Sequence, residues 1–183
     1  ASAPFRCELA ATTDTPDRFS FKHSLFRDAL YRSIPIARRA ALHHAFAAAA
    51  EPLYTAGPEP RHAELAMHLR LGMSLGGRDQ AARHERLAGA QAAARQSFDA
   101  AADHFTRALT LSDDARGRCE LLLALGDARM SGEDAGAAAD AYAKAADLAR
   151  ELGDGRLLGE SALGVGRRPS LPTRLNGQLV ALT

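Results

Sequence analysis

Laid over itself with an offset of 37 residues, the chain superposes Gly89 on Gly126, Phe98 on Ala135, Ala101 on Ala138, Phe105 on Tyr142, Ala108 on Ala145 and Leu111 on Leu148. Each copy reads as a helix with a glycine inside it, a short turn, and a second helix. The second helix carries a small residue, an aromatic four positions later and alanine three after that. Where two antiparallel helices cross closely, glycine and alanine let the axes approach and one aromatic ring fills the gap beside them. Gly89, Ala101, Phe105 and Ala108 are the expected packing residues of one copy, and Gly126, Ala138, Tyr142 and Ala145 those of the next. A unit of this kind cannot bury its apolar face alone, so the copies must stack into an array. A third copy opens at Leu163-Gly164, breaks at residues 167–172 and runs out within residues 178–182, so this repeat is expected to be incomplete.

The composition agrees with the pattern. Ala (41) and Leu (25) dominate, against 2 Val, 2 Ile, 3 Tyr and no Trp. Strands are thereby starved of β-branched and aromatic residues, and helices receive their best formers. The expected class is all-α, an array of antiparallel helical hairpins preceded by one small β-hairpin. That hairpin is read from alternating runs at residues 5–9 and 18–21, separated by the turn chemistry of Thr12 to Asp17. Apolar residues at helical spacing then predict helices over 23–34, 36–54, 62–71 and 78–96. The run Gly57-Pro58-Glu59-Pro60 divides a first region, 1–56, from the array, 62–183, with 57–61 as linker.

With 23 basic and 22 acidic residues the formal net charge is +1, which lacks the basic footprint of a nucleic-acid binder. Direct nucleic-acid contact by this segment is not expected. Cys7 and Cys119 are too few and too far apart for a disulfide framework or a zinc site, which favours a reducing, cytoplasmic setting. No apolar run approaches the ~20 residues of a membrane span, and the opening residues lack the basic and apolar regions of a signal peptide. The basic charge comes from 21 Arg and 2 Lys, a bias associated with GC-rich bacterial genes.

The repeat resembles the tetratricopeptide repeat, with a unit of 37 residues against the usual ~34 and with Asp113 and Arg150 where that family closes on Pro. The first region adds a second resemblance. The run Phe19-Ser-Phe-Lys-His-Ser-Leu-Phe-Arg-Asp-Ala-Leu-Tyr31, then Arg38-Arg39 and Leu42-His43, followed by Ala63-Glu-Leu-Ala66 and a repeat array, is similar to the segment after the ATPase core in bacterial STAND-class signal-transduction ATPases. These include large LuxR-type transcriptional regulators. The resemblance implies a winged-helix remnant at 1–56, a repeat sensor behind it, and ATP or ADP bound by a core outside this segment. No Gly-Lys-Ser/Thr phosphate loop occurs here, so the segment is expected to need no cofactor and catalyse nothing itself. It also implies a role for His23. Lys22-His23-Ser24 resembles the winged-helix triplet whose histidine meets the β-phosphate of ADP, and a helix start adds a favourable dipole for an anion. Function is accordingly read as regulatory: a protein partner or small-molecule inducer at the repeats, with self-association possible. A free-standing tetratricopeptide adaptor is the alternative.

Other constellations read as structure. Gly72-Met-Ser-Leu-Gly76 matches the nucleophile elbow of α/β-hydrolases, but that chemistry needs a strand before Ser74 and a helix precedes it here. The seven histidines show no metal-ligand spacing: Ala88 stands where His84 would need its partner, and His62 and His68 fall on different helix faces. Adjacent His43 and His44 are expected to diverge, one inward and one to solvent. Phe98, Phe105 and Tyr142 fall on the inward stripe, and Asp113-Asp114 and Arg167-Arg168 read as solvated loops. Helical phase puts Gln91, Arg95, Asp127 and Arg129 on the exposed face of the first helices, as candidate partner contacts.

Overall fold

The computed structural model describes residues 9–11, 19–21 and 24–166. Leu9–Ala11 (β1) and Phe19–Phe21 (β2) pair antiparallel, with Leu9 opposite Phe21 and Ala11 opposite Phe19. β1 runs two residues closer to the turn than the alternation predicts, and residues 5–8, Cys7 among them, lie outside the described residues. The rest is helical. In order come α1 (Ser24–Ser33), α2 (Ile36–Thr55), α3 (His62–Leu71), α4 (Arg78–Ala94), α5 (Phe98–Leu111), α6 (Ala115–Ser131), α7 (Ala135–Glu151) and α8 (Gly155–Gly166). A single 3-10 turn, Met73–Leu75, stands between α3 and α4. None of the described helices is long and apolar enough to cross a membrane.

Local chemistry explains the boundaries. Pro35 separates α1 from α2, since its ring cannot continue a helix from the preceding turn. Asp114 is no idle loop residue: its carboxylate accepts from the Gly117 amide at 2.6 Å and caps α6. Asp134 caps α7 in the same way through the Ala137 amide at 3.1 Å. Three turns share one backbone form. Gln96, Glu133 and Gly153 adopt φ of 59°, 65° and 65°, and the residue after each donates its amide to a carbonyl five positions earlier. This left-handed closure satisfies carbonyls that a helix C-terminus would leave orphaned.

Each helix from α2 to α8 packs against the next in sequence, and α6 also touches α8. The interior is built mainly from alanine. Ala81, Ala101, Ala108, Ala138 and Ala145 are fully shielded, with Leu65, Leu157 and Tyr142 as the larger buried side chains. Apolar packing is continuous across residues 57–61, because Ala47 of α2 and Leu69 of α3 share a cluster with Ala81, Ala82 and Leu111. α1 differs from the others: it packs on β2 and buries none of its residues.

Candidate functional site

The glycines of the repeat stand where helices cross. A Cβ on Gly89 would lie 2.6 Å from Phe105 Cε1, and one on Gly126 would lie 2.5 Å from Tyr142 Cε1. Both separations are far inside van der Waals contact, so only glycine lets the ring lie flat on the neighbouring backbone. Gly164 of α8 presses on the Tyr142 ring too. Tyr142 Oη donates to Asp127 Oδ1 at 2.7 Å. Phe105 and Tyr142 are buried, whereas Phe98 at the start of α5 is half-buried.

The four candidate contact residues fall near the C-terminal ends of α4 and α6. Gln91 donates to the Pro60 carbonyl at 3.0 Å, Arg95 is exposed, Asp127 is exposed while serving Tyr142, and Arg129 is half-buried. His23 lies outside the described residues; α1 opens one position later, at Ser24. Ser74 sits in the 3-10 turn between two helices. The glycine before it has a packing reason, since a Cβ on Gly72 would lie 2.7 Å from the His44 backbone nitrogen. Gly76 takes φ of 115°, a backbone that side chains rarely adopt.

A polar network runs between α1 and α5, and spacing alone did not reveal it. Two pairs of histidine rings meet nitrogen to nitrogen: His43 Nδ1 and His68 Nδ1 at 2.9 Å, His62 Nδ1 and His84 Nδ1 at 3.0 Å. Such a contact holds only when one ring donates and the other accepts, so it excludes N–H on both facing nitrogens. α3 thereby reaches α2 through His68 and α4 through His62. Tyr31 Oη and His43 Nε2 extend the first pair to α1 at 2.8 Å, and the Glu51 carboxylate meets His84 Nε2 at 3.1 Å in the second. His43 and His44 do not diverge as expected: both are half-buried, because the 3-10 turn lies against the backbone at His44 while His43 faces α1 and α3.

Protonation of the His43, His62 and His68 rings is disfavoured. Burial lowers the His43 pKa, and the Arg39 guanidinium adds to it. For His62 burial leads, followed by His84 and Arg83. For His68 burial leads and His43 adds, against an opposing pull from Glu64. At neutral pH His43, His62 and His68 therefore act as hydrogen-bonding groups, not as charges.

Beside the rings, Glu85 of α4 is a carboxylate only 1% exposed. His104 Nδ1 lies 2.6 Å from one oxygen and Arg70 Nε 2.7 Å from the other, tying α3, α4 and α5 together. The Arg70 N–H does not point at its oxygen, which leaves both atoms without a hydrogen bond. A sequence signal for Glu85 did exist. It lies on one helical stripe with Ala81, Ala88 and Gly89, all buried. Among the described residues no three His, Cys, Asp or Glu side chains converge to hold a metal ion.

No protein-family model, curated protein or solved structure matches the chain.

Proposed function

We propose that the chain is the regulatory and partner-binding arm of a STAND-type transcriptional regulator, a tetratricopeptide-like array behind the end of a winged-helix domain. In this reading a protein partner or small-molecule inducer binds the repeats, and the change reaches the nucleotide held by an ATPase core in the same protein. The observation that carries the proposal is the recurrence, 37 residues apart, of one contact: Gly89 on Phe105 and Gly126 on Tyr142. A unit repeated with its packing intact builds an open surface instead of a closed core, and such surfaces bind partners. The β1–β2 pairing followed at once by α1 supports the winged-helix part of the reading. Coupling would pass through α1, which has the least packing to lose.

The test uses the longer protein that this reading implies, loaded with a fluorescent ADP. Removing residues 135–183 should change the ADP release rate at least fivefold, and His23→Ala should accelerate release. Unchanged release in both variants would overturn the coupling. A gene with no phosphate-loop sequence upstream would leave the free-standing adaptor.

A further inference from the structure

Between α1, the first half of α2 and the 3-10 turn runs a groove of about 590 Å³. It continues past Tyr31, Arg39 and His43 into a second hollow of about 350 Å³. Together these are within the size range of small-molecule sites, roughly 300–1,000 Å³. The walls are apolar: Ile36, Leu71 and Met73 line the first hollow, Leu42 and Phe46 the second. Ile36 is 78% exposed, so apolar surface stands open here.

The ionisable groups lining one or both hollows, among the described residues, are Arg39, Arg70, His43, His68 and the Tyr31 phenol, with no carboxylate. Arg70 is matched by Glu85 at 2.7 Å. The two histidines are held neutral by burial and hydrogen-bonded to each other. Of the basic groups, that leaves Arg39. Its guanidinium lies 4.9 Å from the Tyr31 ring, it has no ion-pair partner among the described residues, and its Nε is buried without a hydrogen bond. Burying part of a cation beside apolar walls, with no anion to meet it, costs free energy that a ligand could recover.

We infer that this groove is a binding site for a small amphipathic monocarboxylate. Its carboxylate pairs with Arg39, and its aliphatic or aromatic body lies on Ile36, Leu71 and Met73. A guanidinium with no ion-pair partner among the described residues suits one carboxylate, which it can grip with two parallel N–H bonds. A phosphate dianion would meet, among the described residues, one cation without an ion-pair partner and a largely apolar wall. The site is separate from the repeat face and does not depend on the proposed regulatory reading. Its occupant touches α1, α2 and the 3-10 turn together, so binding holds α1 against the array.

Octanoate is the probe, titrated into the full 183-residue chain by calorimetry and by saturation-transfer NMR. Octanol supplies the same body without charge, acetate the charge without the body, and octyl phosphate the dianionic head. Octanoate should bind at least tenfold more tightly than each of the three. Arg39→Gln should reduce octanoate affinity at least tenfold while leaving octanol unchanged. Ala37→Glu, at an exposed position on the groove wall, should abolish octanoate binding without altering the helical circular dichroism. Octanol binding as tightly as octanoate, octyl phosphate binding more tightly, or octanoate affinity unchanged in both variants would each overturn the site.

Discussion

Adding one methyl group at Gly126 tests the packing scheme of the array. Gly126→Ala places a carbon 2.5 Å from Tyr142 Cε1, and the ring has nowhere to retreat. Tyr142 is 1% exposed, its hydroxyl is held by Asp127, and Gly164 presses on the same ring. Overpacking of this kind costs about 1–3 kcal/mol. Replacing glycine by alanine within a helix returns about 1 kcal/mol through backbone entropy, so the net loss should be about 0–2 kcal/mol. Gly159 in α8 is the control. Nothing lies within 4 Å of its Cβ position, so Gly159→Ala should stabilise the chain by up to about 1 kcal/mol. The two variants differ from wild type by the same methyl group, and Gly126→Ala should be the less stable of the two by the overpacking cost of about 1–3 kcal/mol. Urea denaturation followed by helical circular dichroism reads the difference, with equal m-values required for the comparison. If Gly126→Ala proves as stable as Gly159→Ala, the ring does not lie on the glycine and the repeat scheme fails.

Glu85→Ala should cost about 3 kcal/mol, because it strands Arg70 and His104 around an emptied buried site; a loss below 0.5 kcal/mol, roughly the error of such measurements, would contradict that burial. Glu133→Gly should raise stability by about 1 kcal/mol by relieving the positive φ of 65°, and no gain in the urea midpoint would refute it. Asp134→Ala should lose about 1 kcal/mol with the α7 cap, measured in the same way. Acidification should also weaken the fold. Burial lowers the pKa of His43, His62 and His68, so below about pH 6.5 the unfolded chain binds more protons than the folded one. The contribution is complete above that pH and is lost as pH falls toward the lowered folded values. A urea midpoint that rises between pH 7.5 and 5.5 would contradict this sign.

The helices were legible because their signals are local. Pro35, Gly72 and the apolar spacing around them mark ends that the structure places within two residues of expectation. The contacts of Gly89 and Gly126 were legible for a different reason: the second copy acts as an internal check on the first. No such copy exists for α1 to α3, and there the reading lost detail. His62, His68 and His84 are read along one helix for metal-ligand spacing and His43 only for the side of α2 it faces, whereas each finds its partner on a neighbouring helix 22 or 25 residues away. Sequence spacing does not encode which faces of α2, α3 and α4 come together. Arg39 had no local signal either, since a cation without an ion-pair partner among the described residues is recognised only from the elements packed around it.

Tyr142 joins elements that the turn between them leaves independent. The connection from α7 to α8 is a short turn built like the one from α6 to α7, and the turn by itself makes no contact between α8 and α6. The ring supplies one. It bears on the glycine of α6 and on the glycine of α8, and its far end is tied to Asp127. Any tilt of α8 must therefore roll the ring against α6 and pull on its hydroxyl bond. A push on α8 is thus passed to α6 through this ring, in the manner of a bearing between two rods, beside the packing of Leu157 on Cys119.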